Sequence, residues 1–148
     1  MRYLILSDIH ANQEALEAVL EHARNRYDEI LCCGDVVGYG PDPNRVTDWV
    51  RSNVPTVVRG NHDKACSGIE SFEDYNPAAK LSTVWTNQSL TPGNMDYLRA
   101  LPQGPVAVDG FDIAHGSPAG EDDYLLNKPD VQHAWAAMRT PVCFIGHP

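Results

Sequence analysis

Short apolar runs alternate with amphipathic segments through the first half of the chain, and this alternation restricts the fold more than any other feature. Residues 3–6, 29–33 and 56–59 are typical of short buried strands. The first interval has apolar residues at helical spacing after Asn12, and the second starts a helix at Asp42 that runs to about residue 51. This order predicts an α/β fold with parallel strands and right-handed crossovers.

The second half of the chain has a different pattern. Helices are predicted over residues 77–90, 91–101 and 129–138, and a strand over 142–145. A two-residue turn at 109–110 between apolar residues predicts a hairpin. Four residues form the apolar face of the first of these helices: Ala78, Leu81, Val84 and Trp85. We expect the tryptophans to pack in the core: Trp49, Trp85 and Trp135. A mixed sheet or two packed sheets flanked by helices is predicted.

Composition excludes several classes of protein. The chain has 148 residues and a formal net charge of −9, which repels nucleic-acid backbones. No apolar run approaches the roughly 20 residues of a membrane-spanning helix, and the first residues lack the apolar stretch of a secretory signal, so a cytoplasmic protein away from membranes is expected. The four cysteines contain no CxxC pair, which argues against a zinc ribbon. We expect them to be reduced and buried, with Cys32 and Cys33 on opposite faces of a strand.

Each predicted strand of the first half, and two in the second, is followed by aspartate, asparagine or histidine. The five polar segments are Asp8-x-His10, Gly34-Asp35, Gly60-Asn61-His62-Asp63, His115-Gly116 and Gly146-His147. In open α/β sheets, the carboxyl ends of parallel strands gather at one edge, where ligands bind. The pattern therefore predicts a cluster of imidazole and carboxylate groups at that edge.

This mixture of ligands indicates a metal site. Imidazole, carboxylate and amide oxygen without thiolate suit Mn, Fe, Zn or a similar ion. Asp8 and His10 lie two residues apart, so an extended backbone would place both on one face, where they can share an ion. Asp35 has two carboxylate oxygens and could bridge two ions. Two cations clamp the attacking and leaving oxygens of a phosphoryl transfer, which makes a dimetal hydrolase the leading hypothesis.

The five segments, in this order, resemble the calcineurin-like metallophosphoesterases over essentially the whole chain. Residues 34–43 are similar to a bacterial and archaeal phosphodiesterase-like branch of that family. The resemblance implies an α/β fold of the αββα type, with two mixed sheets flanked by helices. It also implies a single metallophosphoesterase domain over residues 1–148.

The same resemblance implies roles for individual residues. Asp8 and His10 would hold the first of two divalent ions (Mn, Fe, Zn or Ni), and Asp35 would bridge both. The implied ligands of the second ion are Asn61, His115 and His147. His62 resembles the general acid of the family, which protonates the leaving oxygen, and a histidine pKa of about 6.5 suits that role.

Two further residues are candidate substrate contacts. Arg59 precedes the 60–63 turn and would contact a phosphate oxygen; the alternative is a surface arginine at a strand end. Tyr39 lies in a glycine-rich loop beside Asp35 and is a candidate to face the substrate. Substrate choice is expected to lie in loops 38–43 and 116–126. The acidic run 121–123 is expected to be solvated.

The chain departs from the family pattern at two positions. The family usually ends its last motif as Gly-His-x-His, whereas Pro148 follows His147 and is the last residue here. Either the domain is truncated or this sequence ends before the protein does. In both cases, the first ion would lack one ligand and the strands that normally follow would be missing. Gly38 occupies the position where many phosphoprotein phosphatases of the family have an aspartate that orients the catalytic histidine. Protein phosphatase activity is therefore in doubt, and His62 must be oriented by another group.

The predicted function is metal-dependent hydrolysis of a small phosphodiester, phosphomonoester or nucleotide-like substrate. A binding or scaffold protein on the same fold is the alternative, although a scaffold needs no general acid and the chain retains Asn61 and His62. A nuclease is disfavoured because the chain has no basic track for a polymer. The sequence leaves the metal, the natural substrate and the oligomeric state open.

Overall fold

Two three-stranded sheets and six helices make up the fold in the computed structural model, which describes residues 1–147. In chain order the elements are β1 (Tyr3–Leu6), α1 (Gln13–Ala23), β2 (Glu29–Cys32), α2 (Pro43–Asn53), β3 (Thr56–Val57), α3 (Asn61–Ser67), α4 (Pro77–Ser89), α5 (Pro92–Ala100), β4 (Val106–Ala107), β5 (Asp112–Ala114), α6 (Lys128–Ala136) and β6 (Cys143–Ile145).

The first sheet has the order β1-β2-β3 and is parallel throughout, with Leu6 opposite Cys32 and Cys32 opposite Val57. The second sheet has the order β4-β5-β6, in which β4 pairs with β5 antiparallel and β5 with β6 parallel. The alternation predicted for the first half and the hairpin predicted for the second are both confirmed. The β3 strand is shorter than predicted, since the backbone N–H of Arg59 donates to Pro102 O.

The side chains of β2 alternate between two apolar cores. Ile30 and Cys32 pack with residues of the helices, including Leu16 and Val46. On the opposite face, Leu31 packs with Ile113 of the second sheet, and Cys33, the residue after β2, packs there as well. The predicted opposite orientation of Cys32 and Cys33 is confirmed. Helices therefore cover one face of the first sheet, and its other face packs on the second sheet. Residues of α6 and β6 line one cavity, which places α6 beside the second sheet. This is the predicted αββα arrangement.

The predicted inner face of α4 is wrong. Leu81 is 74% exposed and Trp85 46% exposed, whereas the buried residues of the helix are Ala79, Thr83 and Thr86. The buried face approaches α3 closely, because Asn87 Nδ2 donates to Cys66 O at 2.8 Å. Small side chains fit this close approach, so the bulky ones lie outside. Trp135 of α6 is 70% exposed and also contradicts the predicted core, while Trp49 packs against the first core as expected.

The helix α3 was not predicted, and it carries two of the candidate site residues. Its N-terminus is capped by Asp63, whose Oδ2 accepts from the backbone N–H of Gly60 at 2.9 Å. It ends at Gly68, which has a left-handed φ of 77° that favours glycine. Residues 62–67 are all buried, so the helix has no polar face that periodicity could detect. None of the helices described is long and apolar enough to cross a membrane.

Candidate active site

The polar segments that follow the strands meet at the carboxyl ends of the sheets. Within the described residues 1–147, two groups of three side chains bring their ligand atoms within 4.8 Å of one another. One group contains Asp8, His10 and Asp35, and the other contains Asp35, His115 and His147. Asp35 is common to both groups, as a residue that bridges two cations must be.

The backbone presents these side chains in an unusual conformation. Asp8, His10, Asp35 and His147 have positive φ values of 53°, 50°, 54° and 54°. The interpretation that Asp8 and His10 share a face through an extended backbone is therefore wrong. The two residues converge because the loop after β1 is bonded to the loop after β2, with His10 N–H donating to Asp35 O at 3.0 Å. Left-handed backbone at non-glycine residues costs about 1 kcal/mol each and is concentrated at functional sites.

Asp35 is 1% exposed and uses its two oxygens differently. Its Oδ1 accepts from the backbone N–H of His62 at 2.9 Å. Its Oδ2 lies 3.7 Å from Nε2 of His10 and 3.4 Å from Nε2 of His115. Burial raises the pKa of Asp35, but the hydrogen bond and charge of His115 and the other imidazoles lower it below its ordinary value. One anionic oxygen therefore faces both groups of ligands.

Backbone carbonyls orient two of the histidines. Nδ1 of His10 lies 3.1 Å from Val37 O, and Nδ1 of His115 lies 2.8 Å from Cys33 O. A histidine that donates from Nδ1 to a carbonyl turns Nε2 toward the site, as metal-binding histidines commonly do. Burial lowers the pKa of His115, yet the hydrogen bond and charge of Asp35 outweigh it and raise the value to about 9.

Asn61 lies beside the second group, to which His147 belongs. Oδ1 of Asn61 lies 3.0 Å from Nε2 of His115, and its Nδ2 donates to the Tyr75 hydroxyl at 2.9 Å. The backbone N–H of His147 donates to Asp8 Oδ2 at 3.2 Å. Nε2 of His147 is buried and has no hydrogen-bond partner among the residues described. An orphaned buried nitrogen costs about 1–3 kcal/mol, so its place beside Asp35 fits a metal ligand, and the whole donor set fits divalent cations.

His62 lies beside the ligands and is held by packing. Its ring is 4.7 Å from that of Tyr39 and 5.1 Å from that of Tyr75. Its Nδ1 is buried without a hydrogen-bond partner in the described part of the chain, and a Cβ at Gly38 would lie 2.8 Å from that nitrogen. Gly38 therefore stands where a carboxylate would reach Nδ1, and aromatic contacts orient the ring instead. Burial lowers the pKa of His62, which makes its protonated form a stronger acid.

Of the two candidate substrate contacts, Tyr39 borders the site and Arg59 does not face it. Tyr39 is half-exposed and borders the site, with its ring 5.0 Å from that of His10. Arg59 turns to Glu121, to which it donates two hydrogen bonds of 2.9 Å. The geometry thus pairs Arg59 with a carboxylate, whereas the sequence had suggested either a phosphate contact or a free surface arginine.

The 121–123 run is not uniformly solvated, which corrects the expectation for Glu121. The side chain of Glu121 is 15% exposed. Its Oε1 lies 3.2 Å from Nζ of Lys64, whose side chain is 4% exposed. Lys64 further pairs with Glu70 and Asp122. These ion pairs connect α3 to the loop after β5, because a lysine taken out of water requires nearby carboxylates.

We expect Glu121→Gln to destabilise the protein by about 1–3 kcal/mol, since it leaves the largely buried Arg59 without its carboxylate and removes one of the three carboxylates around Lys64. Urea unfolding followed by circular dichroism measures the change. The matched control is Glu21→Gln, which removes the fully surface-located partner of Arg24 and should change stability by less than about 0.5 kcal/mol. Equal effects of the two substitutions would contradict the importance of the buried pairs.

Sequence reasoning missed three residues of this region. Asp63 is buried and accepts from Val37 N–H at 3.1 Å as well as from Gly60, and burial and the charge of Asp35 raise its pKa to about 7. Its position three residues after Gly60 was an available capping signal. The ring of Tyr124 lies 3.8 Å from that of His147, in the loop expected to govern substrate choice. Tyr75 carried no signal, because only the fold brings it to Asn61.

Gly60 lies directly against Asp35 and leaves no room for a side chain. A Cβ there would lie 2.1 Å from Oδ1 of Asp35 and 2.5 Å from its backbone nitrogen. We therefore expect Gly60→Ala to displace Asp35 and to weaken Mn²⁺ binding about tenfold or more, measured by calorimetric titration. The control is Gly93→Ala on α5, where the nearest atom would be Arg51 Nη1 at 3.7 Å and alanine favours the helix. Unchanged Mn²⁺ affinity in Gly60→Ala would contradict the placement of Asp35.

Known proteins share the family and the fold of this chain. The family model of the calcineurin-like phosphoesterases matches residues 1–145. The chain belongs to this family. The calcineurin-like phosphoesterase fold is shared with a metallophosphoesterase from Sphaerobacter thermophilus, which is 43% identical with a TM-score of 0.85 over 99% of this chain and 60% of that one.

Two further relatives are less similar. An uncharacterized protein of Methanocaldococcus jannaschii is 39% identical over 99 residues, which are 66% of this chain and 41% of that protein. The structure of a putative diadenosine tetraphosphatase is 28% identical with a TM-score of 0.58, over 80% of this chain and 50% of the other. This calcineurin-like phosphoesterase chain therefore spans about two fifths to three fifths of the length of these relatives. Members of the family act on phosphorylated substrates with divalent metals, and this chain has groups of residues that could bind them.

Proposed function

We propose that this chain is a metal-dependent phosphoesterase with a two-cation centre built around Asp35. The observation that carries the proposal is the position of Asp35 Oδ2, which lies between Nε2 of His10 and Nε2 of His115. The proposed ligands of the first cation are Asp8 and His10. Those of the second are Asn61, His115 and His147, and Asp35 is shared.

Two divalent cations in this site would acidify a bound water and neutralise the charge that develops on the phosphoryl oxygens. Hydrogen bonds to the backbone fix the orientation of the proposed ligands. Carbonyls of Val37 and Cys33 orient His10 and His115, and the backbone N–H of His62 fixes Asp35. Each of these groups is set before the reaction, so little reorganisation is needed.

His62 is the proposed general acid. It sits at the edge of the ligand cluster, and its ring contacts two tyrosines and His10. Because its pKa is lowered by burial, its protonated form transfers a proton readily to an alkoxide leaving group. The absence of a carboxylate on Nδ1 among the described residues distinguishes it from the arrangement expected in protein phosphatases.

The proposed substrate is a small phosphodiester, phosphomonoester or nucleotide-like compound, and residues 1–148 are proposed to act on it as one domain. The net charge of −9 opposes binding of a nucleic-acid polymer. Cys32, Cys33 and Cys66 are buried free thiols as expected, whereas Cys143 is only partly buried, and the free thiols support a reducing compartment such as the cytoplasm. Manganese is the cation to test first, since carboxylate, amide and imidazole ligands suit it.

The test is hydrolysis of bis(p-nitrophenyl) phosphate by protein stripped with a chelator, before and after Mn²⁺ is restored. We expect no turnover in chelator and recovery with Mn²⁺, since the proposed mechanism takes its activated water from the cations. Release of p-nitrophenolate is followed by absorbance. If Mn²⁺ binds but gives no turnover on diester or monoester substrates, the phosphoesterase proposal fails and a binding protein on the same fold is favoured.

A further inference from the structure

Tyr39 is displayed beside the ligand cluster in a conformation that bulky residues rarely adopt. Its φ is 60°, and it stands between Gly38 and Gly40. The backbone N–H of Tyr39 donates to Ser82 Oγ at 3.3 Å, and the residue remains 49% exposed. The ring packs on one side against His10 and His62, yet half of the residue stays exposed, so the strained backbone presents an aromatic surface at the ligand cluster and points to a role in binding.

The space next to Tyr39 is a cavity of about 510 Å³ that opens beside Asp8 and His10. Apart from the polar groups at its mouth, its walls are apolar: Leu6, Ile9, Ala15, Leu16 and Val19. Among residues 1–147, no lysine or arginine lines it, and Asp8 gives it a negative charge. Cavities of about 300–1,000 Å³ accommodate small organic ligands. This one suits a flat apolar group and disfavours an anionic one.

The basic residues around the 60–63 turn are neutralised within the protein. Arg59 is paired with Glu121, and Lys64 with Glu70, Glu121 and Asp122. Neither side chain is free to bind the additional phosphates of a polyphosphate. The formal charge of −9 repels such a group further.

We propose that the site selects phosphodiesters with a single phosphate and an aromatic substituent, nucleoside or aryl, which stacks on Tyr39 in this cavity. The inference rests on the proposed phosphoesterase function and specifies its substrate class. Stacking of a base on an aromatic side chain changes affinity by about 5- to 150-fold. The retained group of the diester occupies the cavity, while the leaving oxygen faces His62.

The test compares three diesters that share the p-nitrophenolate leaving group and differ in the retained group: methyl, phenyl and thymidine-5′. Each kcat/KM, measured with Mn²⁺, is divided by the rate of uncatalysed hydrolysis of the same ester. We expect the phenyl and thymidine esters to exceed the methyl ester about tenfold or more. Tyr39→Leu should reduce this preference to near unity, and Tyr39→Phe should retain it. The control is Trp135→Leu, which replaces an exposed aromatic residue on α6 and should keep the wild-type preference.

Three results would overturn the inference. Equal normalised values for the three esters in the wild type, or an intact preference in Tyr39→Leu, would remove Tyr39 from substrate selection while leaving the phosphoesterase function in place. Faster cleavage of diadenosine tetraphosphate than of the thymidine ester would reject the single-phosphate preference. Absence of metal-dependent hydrolysis of every ester would reject the proposed function and this inference with it.

Discussion

Asp35→Asn is expected to lower Mn²⁺-dependent hydrolysis about 100-fold or more. The amide keeps the shape of the side chain and can still accept the hydrogen bond from His62 N–H, but it removes the negative charge between the two groups of ligands. Changes to residues that only support metal ligands already cost about 10- to 100-fold, so loss of the shared charge should cost at least as much. The steady-state rate on bis(p-nitrophenyl) phosphate at saturating Mn²⁺ measures the effect.

The control for this substitution is Asp112→Asn. Asp112 is also a buried carboxylate, on β5, and its charged neighbour is Arg139 at 3.9 Å. The folded Asp112→Asn protein should retain wild-type Mn²⁺ affinity and turnover. Wild-type turnover in Asp35→Asn would show that Asp35 does not bridge cations and would remove the basis of the proposed centre.

His62→Ala is expected to slow hydrolysis most for esters whose leaving group is a strong base and least for those whose leaving group is a weak base. With an alkyl leaving group the rate should fall about 10²–10⁴-fold, because the alkoxide needs a proton from the general acid. With p-nitrophenolate, which leaves without protonation, the fall should be less than about tenfold. The measurement is kcat for one series of diesters over a range of leaving-group pKa, in both proteins.

The same variant separates a general acid from a metal ligand. His62 belongs to neither group of clustered ligand atoms, so Mn²⁺ affinity should be unchanged in His62→Ala. His22→Ala on the exposed surface of α1 is the control and should alter neither rate nor affinity. Loss of Mn²⁺ from His62→Ala would make His62 a ligand, and an equal fall for all leaving groups would contradict proton donation.

The layers of this fold could be predicted because its strands and most helices carry strong local signals. Asn12, Asp42 and Thr91 precede α1, α2 and α5, and short apolar runs coincide with β1 and β2. The helix α3 could not be predicted, since it is short and buried on all sides. The inner face of α4 was also wrong, because close packing against α3 places threonines inside and Trp85 outside, against the hydrophobic pattern.

The candidate site could be predicted in its composition but not in its geometry. The order of polar segments indicated which side chains converge, since parallel strands end at one edge. Aspartate tolerates the left-handed backbone seen at Asp8 and Asp35 but does not require it, so the sequence did not reveal this conformation and the extended-backbone argument failed. Contacts between site residues and residues far away in the sequence could not be predicted either. Tyr75 at Asn61 and Glu121 at Arg59 are separated from those residues by 14 and 62 positions.

The most direct test of the shared-carboxylate centre is the electron paramagnetic resonance spectrum of the protein loaded with Mn²⁺. Two Mn²⁺ ions joined by one carboxylate are exchange-coupled, so we expect a coupled spectrum in the wild type that disappears in Asp35→Asn. A wild-type spectrum with only the hyperfine pattern of isolated Mn²⁺, at saturating metal, would contradict a pair of cations on Asp35.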